Sequence, residues 1–345
     1  MATSDILIEK LRSYNGRQIK IMEVCGTHTT ENFRLGIRSI LPQNIKLVSG
    51  PGCPVCVTPT SFIDEAIWLG KNGAALCTFG DLLRVPGNDM NLSQLRSKGA
   101  EVKIVYSPLD AVSFAQDNAD KQVVFLSVGF ETTVPGSCLA VKSAKQLNLD
   151  NFSILTANRT MPNAYKALGN CADAFLYPGH VSAITGMSLY RKLKLEGISG
   201  AVAGFSAIEI LLALNMIVKR LQEGKPFAEN CYTSVVADEG NPRACELIDE
   251  TMQACDTEWR GLGIIPLSGL QLKSEYAMFD SRKKFGIPEF KQKENSGCRC
   301  GEVLKGEVEP PQCKHFGKTC TPENPVGACM VSTEGTCAAY FKYKV

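Results

Sequence analysis

Short apolar runs rich in Val, Ile and Leu recur through the first two thirds of the chain, each followed by a turn and a longer mixed stretch. The runs suit buried strands, and the mixed stretches suit helices with one apolar face. QIKIMEV precedes CGTHT and TENFRLGIRSIL, NIKLVS precedes GPGCPVC and PTSFIDEAIWLGKNG, AALCTF precedes GDLLRVPG, and VKIVYS precedes PLDAVSFAQD. A second series opens near residue 121, with QVVFLSVG before FETTVPGSCLAVKSAKQL, FSILTAN before RTMPNAYKALG, AFLYPG before HVSAITGMSLYRKL, and ISGAVAGF before SAIEILLALNMIVKRLQEG. Such alternation predicts parallel sheet built from right-handed crossovers. The fold class expected is α/β, with two tandem Rossmann-like parallel-sheet domains over 16–118 and 119–228. A C-terminal, mostly helical and loop-rich domain follows over 229–345, onto which an N-terminal helix over 3–15 could pack. Within it NPRACELIDETMQACDTEWRG reads as one helix, and the remainder is Gly/Pro-rich and strand-poor.

A chain of 345 residues is long for one core, which agrees with several domains. With 37 Lys+Arg against 35 Asp+Glu, the net charge of +2 makes no electrostatic case for nucleic acid or an anionic membrane. Apolar runs such as IEILLALNMIV fall short of the roughly 20 residues of a spanning helix, and MATSDILIEK lacks a signal peptide's basic start. A cytoplasmic protein is expected. No GxxxxGK[ST] or GxGxxG occurs, so nucleotide binding has no local support.

The 15 cysteines change the picture, because in a reducing compartment they point to metal or redox chemistry. Cys138, Cys171, Cys231, Cys245 and Cys255 stand singly and read as buried thiols. Cys25 closes the first predicted strand, and Cys53 and Cys56 follow the second at CxxC spacing. Ligands of open α/β sheets bind beyond the carboxyl ends of the strands. If these two strands are neighbours, the three thiols and His28 meet at one sheet edge. With Thr58 as cap and Pro59 at the first helical position, the positive helix end should favour a Cys56 thiolate. Spacing leaves several readings open: a Cys53/Cys56 dithiol, a Cys3His zinc site of Cys25, His28, Cys53 and Cys56, an open thiolate site for a soft transition metal, or inert thiols.

Six further cysteines crowd between Cys298 and Cys337, in CRCGEVLKGEVEPPQCKHFGKTC and TPENPVGACMVSTEGTC. A loop-rich segment of this kind suits a cubane iron–sulfur cluster, which takes four thiolates. A zinc ribbon would prefer two C-x2-C knuckles, and a disulfide-only role is the third reading. Cys313, Cys320 and Cys337 are the expected ligands. The two thiols of the C-x-C pair are taken to point apart, so at most one of Cys298 and Cys300 is expected to ligate, and Cys300, followed by Gly301, is taken as the fourth. Cys298 or Cys329 could stand in its place. His315 is expected beside the cluster or at the surface. His180, Glu131 and Asp81 sit at strand ends, where acid–base and capping roles compete.

Taken together and in order, MEVCGTHT, SGPGCPVCVTP, CTFGDLLRVPG, VGFETT, YPGHVSAITG, WRGLGIIPLSGL and the run from CRCGEVLKG to ACMVSTEG resemble the HypD family of [NiFe]-hydrogenase maturation proteins. The resemblance implies a scaffold that acts with a small HypC-like partner in assembling an Fe(CN)2CO group, with cyanide arriving from a HypE-like donor. It implies that Cys25 holds that iron beside a partner cysteine, with Cys53 and Cys56 as a redox-capable pair or further ligands next to it. It also implies a redox-active [4Fe-4S] cluster on the C-terminal cysteines. The alternatives from other classes are an iron–sulfur thiol–disulfide oxidoreductase acting on a protein disulfide, and a zinc-stabilised binding protein.

Overall fold

The computed structural model describes residues 3–291 and 297–343. Nine strands form two parallel sheets: β1 (Ile19–Glu23), β2 (Ile45–Ser49), β3 (Ala75–Thr78), β4 (Val102–Ile104), β5 (Val123–Gly129), β6 (Phe152–Asn158), β7 (Ala174–Pro178), β8 (Gly200–Ala203) and β9 (Ala228–Asn230). All eight strands expected from the pattern are among them, and the α/β class stands. Only β9, the tripeptide AEN without an apolar signal, is additional.

The sheets are not successive halves of the chain. One has the order β2-β1-β7-β8-β9 and the other β4-β3-β5-β6. The chain therefore leaves the first sheet after β2, builds the second completely, and returns at β7. A division between residues 118 and 119 falls inside the second sheet, between β4 and β5. Periodicity tells which residues of a strand are buried, but not which strand lies beside it. Burial on both faces follows the strand alternation: Val123 and Phe125 of β5 point into one core cluster, while Val124 and Leu126 point into another. That second cluster also contains Met22, Val48, Phe175 and Val202 of the first sheet, so the two sheets share a core.

Two departures concern the flanks. The N-terminal helix Thr3–Arg12 packs on the helix Ala207–Glu223, with Leu7 and Leu11 in the core under the first sheet, rather than on the C-terminal region. The long helix expected after residue 240 ends early. Asn241 caps it by accepting the Ala244 N–H, and Pro242 starts it, but it stops at Thr251. Met252 turns extended at φ −122° and ψ 161°, and β10 (Met252–Trp259) pairs antiparallel with β11 (Gly263–Leu272). The hairpin turns through Gly261 at φ +77°, and Trp259 is fully buried against Phe130, its Nε1–H donating to Ser268 Oγ at 2.7 Å.

The C-terminal segment has only short helices, Cys300–Leu304, Ala328–Val331 and Thr336–Tyr343. It lies on the helix Gly26–Arg34, where Phe33 and Tyr340 meet edge to face at 4.5 Å. All fifteen cysteines are free. Of the five read as buried thiols, Cys138 is fully buried and Cys171, Cys231, Cys245 and Cys255 are partly so.

Candidate thiol and cluster site

β1 and β2 pair in parallel, with Glu23 opposite Ser49 at their carboxyl ends. The CGTH and GPGCPVC turns therefore leave the sheet side by side, and the Gly26 N–H donates to Gly52 O at 3.1 Å. Gly52 lies directly on Cys25: a Cβ there would stand 2.2 Å from the Cys25 nitrogen. The shared crevice expected for Cys25, Cys53 and Cys56 is present.

Cys25 is the N-cap residue of the helix Gly26–Arg34. Burial pushes its thiol up to about 11, although the backbone N–H groups of His28 and Thr27 favour the thiolate and the Glu334 charge opposes it. Beneath it Glu23, fully buried, pairs with Arg38 at 2.6 Å and accepts hydrogen bonds from Thr29 Oγ1 and Asn32 Nδ2. These bonds tie the helix to β1 and so fix the direction of the Cys25 side chain. The Cys56 N–H donates to Cys53 Sγ at 3.2 Å.

The expected Cys56 thiolate is not found. Thr58 donates to Pro54 O instead of capping, and the helix begins only at Thr60 with Pro59 as its N-cap, which leaves Cys56 outside the first turn. Burial, with donation to Cys329 and Cys53, raises the Cys56 thiol well above its ordinary value. His28 also differs from the zinc reading. Its Nε2 bonds Gly204 O at 2.8 Å, so that nitrogen carries the proton, while the buried Nδ1 has no partner. Burial lowers the ring to about 4, hence neutral. Phe205 lies 4.7 Å from the His28 ring and 4.1 Å from the exposed ring of His180. Among the described residues no group of three Cys, His, Asp or Glu side chains is placed to hold a single metal ion.

All six C-terminal cysteines line one small cavity. Cys320 Sγ accepts from the Val326 N–H at 3.3 Å, and Cys313 Sγ lies 3.9 Å from Gly297 O. His315 lines the same cavity, with Nδ1 bonded to Thr319 Oγ1 at 2.7 Å. The C-x-C pair does not diverge as expected. Both thiols face the cavity, with Arg299 between them at φ −100° and ψ 24°, and residues two apart would share a face on extended chain as well. Cys300 donates to Cys298, which is lowered to about 6 by that bond, against burial and with help from the Arg260 charge; Cys300 is raised correspondingly. In the same way Cys337 and Cys56 donate to Cys329 and lower it. A pocket ringed by six sulfur donors, with the thiols of Cys298 and Cys329 lowered, has the donor set of an iron–sulfur cluster.

Cys329 thus links both groups of thiols. Its proton affinity is coupled to those of Cys56 in the strand-end crevice and Cys337 in the cavity, and Cys56 Sγ lies 4.0 Å from Ala328 O, the residue before it. Sequence reasoning missed this link and two more residues. Glu334 accepts from Thr27 Oγ1 at 3.1 Å beside Cys25, and burial raises its carboxyl. Arg260, at the hairpin tip, donates its backbone N–H to Val57 O at 2.8 Å. Both lie in quoted motifs, but without a spacing that signals chemistry. Asp81 accepts from Ser332 Oγ at 3.4 Å and its charge reaches Glu334. Glu131 is elsewhere: burial pushes it up to about 7, Oε1 accepts the Met161 N–H, and its charge reaches Tyr165, Tyr190 and Cys245.

The sequence profile named HypD and described as "Hydrogenase formation hypA family" matches residues 3–344. The chain is 43% identical to a putative hydrogenase expression/formation protein of Methanocaldococcus jannaschii over 334 residues, 95% of this chain and 92% of that protein. It is 41% identical to the hydrogenase maturation factor HypD of Azotobacter vinelandii over 340 residues, 95% of this chain and 90% of the relative. The HypD of Escherichia coli K12 is 40% identical over 352 residues, covering 98% and 94%.

Proposed function

The chain belongs to the HypD family of hydrogenase maturation factors, and from that premise we propose that it is the scaffold on which an Fe(CN)2CO group is built, together with a small HypC-like partner and a HypE-like cyanide donor. The iron cargo is held by Cys25 with a cysteine of the partner, and Cys53 and Cys56 stand beside it. Soft thiolate donors suit an electron-rich iron that carries cyanide and CO. Because the Cys25 thiol is raised to about 11, it is protonated near neutral pH and must release a proton when iron binds. Glu334, bonded to Thr27 next to Cys25, is placed to take it.

For the cavity, Cys300, Cys313, Cys320 and Cys337 are the proposed ligands of a [4Fe-4S] cluster, with Cys298 or Cys329 able to replace Cys300 from the same lining. Such a cluster supplies or accepts single electrons. Closing Cys53 and Cys56 to a disulfide releases two electrons and two protons. The observation that carries the reading is the approach of the two cysteine groups: Cys56 Sγ of the strand-end crevice lies 4.0 Å from Ala328 O, next to Cys329 of the cavity lining. Cys53 and Cys56 are 3% and 1% exposed, which disfavours a large protein disulfide as their substrate. No described helix is long and apolar enough to cross a membrane, and we assign the protein to the cytoplasm, without a nucleic-acid partner.

The test is infrared spectroscopy and metal analysis of the protein purified anaerobically with its partner. Cyanide and CO bands are expected in the wild type and absent in Cys25→Ala, with iron and acid-labile sulfide retained in both. Iron and sulfide without the bands would favour the oxidoreductase, and zinc without sulfide would remove both readings.

A further inference from the structure

The buried cationic side chains among the described residues are Arg159 and Arg260, at 1% and 5% exposure. Arg159 has acceptors for both terminal nitrogens, Nη1 and Nη2 donating to Ala157 O and Glu258 O, each at 2.7 Å, and only its Nε is without one. Arg260 differs, because its buried Nη1 has no hydrogen-bond partner. A buried guanidinium without an acceptor is costly, and such a residue persists where an anion offsets the cost.

The backbone of Arg260 lies between the two cysteine turns, next to the cavity rather than in its lining. Its backbone N–H is bonded to Val57 O, one residue beyond Cys56. The next residue, Gly261, packs on Gly301, one residue beyond Cys300; a Cβ on Gly301 would lie 2.6 Å from Gly261 O. The hairpin tip is thus wedged between the CPVC turn and the C-x-C turn. The guanidinium charge reaches the thiols of Cys298, Cys300 and Cys329. Arg299 also lines the cavity, but it is partly exposed and paired with Glu302.

We infer that the Arg260 guanidinium is the buried counter-charge of the six-cysteine cavity, a positioning residue that balances the negative charge of thiolates and a cluster held there. The inference rests on the cluster reading above. It assigns a purpose to the WRGLG segment: the hairpin delivers one positive charge to a site otherwise built from sulfur. A cluster held by four thiolates is anionic, and a fixed cation beside it favours the reduced, more negative state and so raises its reduction potential.

Arg260→Gln and Arg260→Lys test this, each prepared anaerobically with and without cluster. In Arg260→Gln the cluster's midpoint potential, followed by visible absorption and electron paramagnetic resonance, should become more negative, and iron should be lost to a chelator several-fold faster. Arg260→Lys should lie between Gln and wild type. The cluster-free Gln variant should unfold at or above the wild-type temperature, since the unpaired buried cation is gone. Wild-type potential and iron retention in Arg260→Gln would overturn the inference, as would equal destabilisation of its cluster-free and loaded forms, which marks a merely structural side chain. If Arg260→Gln holds no cluster, retention in Arg260→Lys supports the charge role, and loss in both overturns it. Wild-type protein without iron and sulfide would instead bring down the cluster reading, and this inference with it.

Discussion

A methyl group at Gly52 would lie 2.2 Å from the Cys25 nitrogen, and the neighbour it meets is backbone, which cannot swing away. Gly52→Ala should therefore separate the CPVC and CGTH turns: loading of the cyanide- and CO-bearing iron falls sharply in the infrared, while iron and sulfide of the C-terminal cavity stay at wild-type levels. Loss of both together would mean that the substitution unfolds the domain. Glu131 sets a second expectation. Its folded value, about 7, lies above the ordinary 4.5, so the fold binds its proton more tightly than the unfolded chain does. Its stabilising contribution is full below about 4.5 and is lost as pH rises through 7, a change of about 3 kcal/mol. His28 works in the opposite sense: lowered from 6.5 to about 4, it disfavours the fold as pH falls between those values. Subtracting Glu131→Gln from wild type in urea unfolding between pH 5 and 8 isolates the first effect, and the variant's curve should lack the alkaline decline. Parallel curves would show that Glu131 is ionised in the fold.

Among the elements, the hairpin β10–β11 and the helix Ala207–Glu223 make a useful pair. Ser206 caps the helix in a reciprocal box with Glu209, a signature visible in SAIE, and Ser206→Ala should cost about 1 kcal/mol without touching cluster content. Trp259 is fully buried beside Arg260, and Trp259→Ala should cost about 3–5 kcal/mol and also lower iron retention, because it loosens the tip that lies between the cysteine turns. Denaturant unfolding and iron assays on both variants check this, and equal iron retention would uncouple hairpin from cavity. The helix was legible because its apolar spacing is a local signal of helical period. The strand from Met252 was not: its partner begins only at Gly263, past a tip that needs Gly261 at positive φ, and the local apolar spacing suits a helix equally well. The C-x-C expectation failed because it was the wrong inference: alternation separates neighbouring side chains, whereas residues two apart lie on one face, and both thiols line the pocket.

At the scale of the molecule, a shared core joins two sheets, while the C-terminal segment is a set of helices of four, five and eight residues around a cavity. Helices this short do not hold themselves in water. Removing the proposed cluster should therefore strip amide-exchange protection from residues 300–337 while β1 to β8 keep theirs, because metal binding and local folding are coupled. Unchanged protection across the C-terminal segment would mean that packing on the helix Gly26–Arg34 alone orders it.

What the sequence determined by itself was local and periodic: eight of nine sheet strands, the turns at their carboxyl ends, and two sets of cysteines whose spacing pointed to thiol and metal chemistry. Each depends on residues within a turn or two of one another. What the tertiary structure decided was pairing: that β1 and β2 lie with β7 rather than in a sheet with β3. Pairing likewise made Cys56 and Cys329 neighbours across 273 positions of chain, one more than the separation of Cys56 from Ala328. It also brought Glu334 to Cys25 and Arg260 to the cysteine turns, and it turned His28 toward Gly204. Burial on a strand face looks the same whichever strand packs beside it, and a thiol's proton affinity depends on neighbours that only the folded chain supplies.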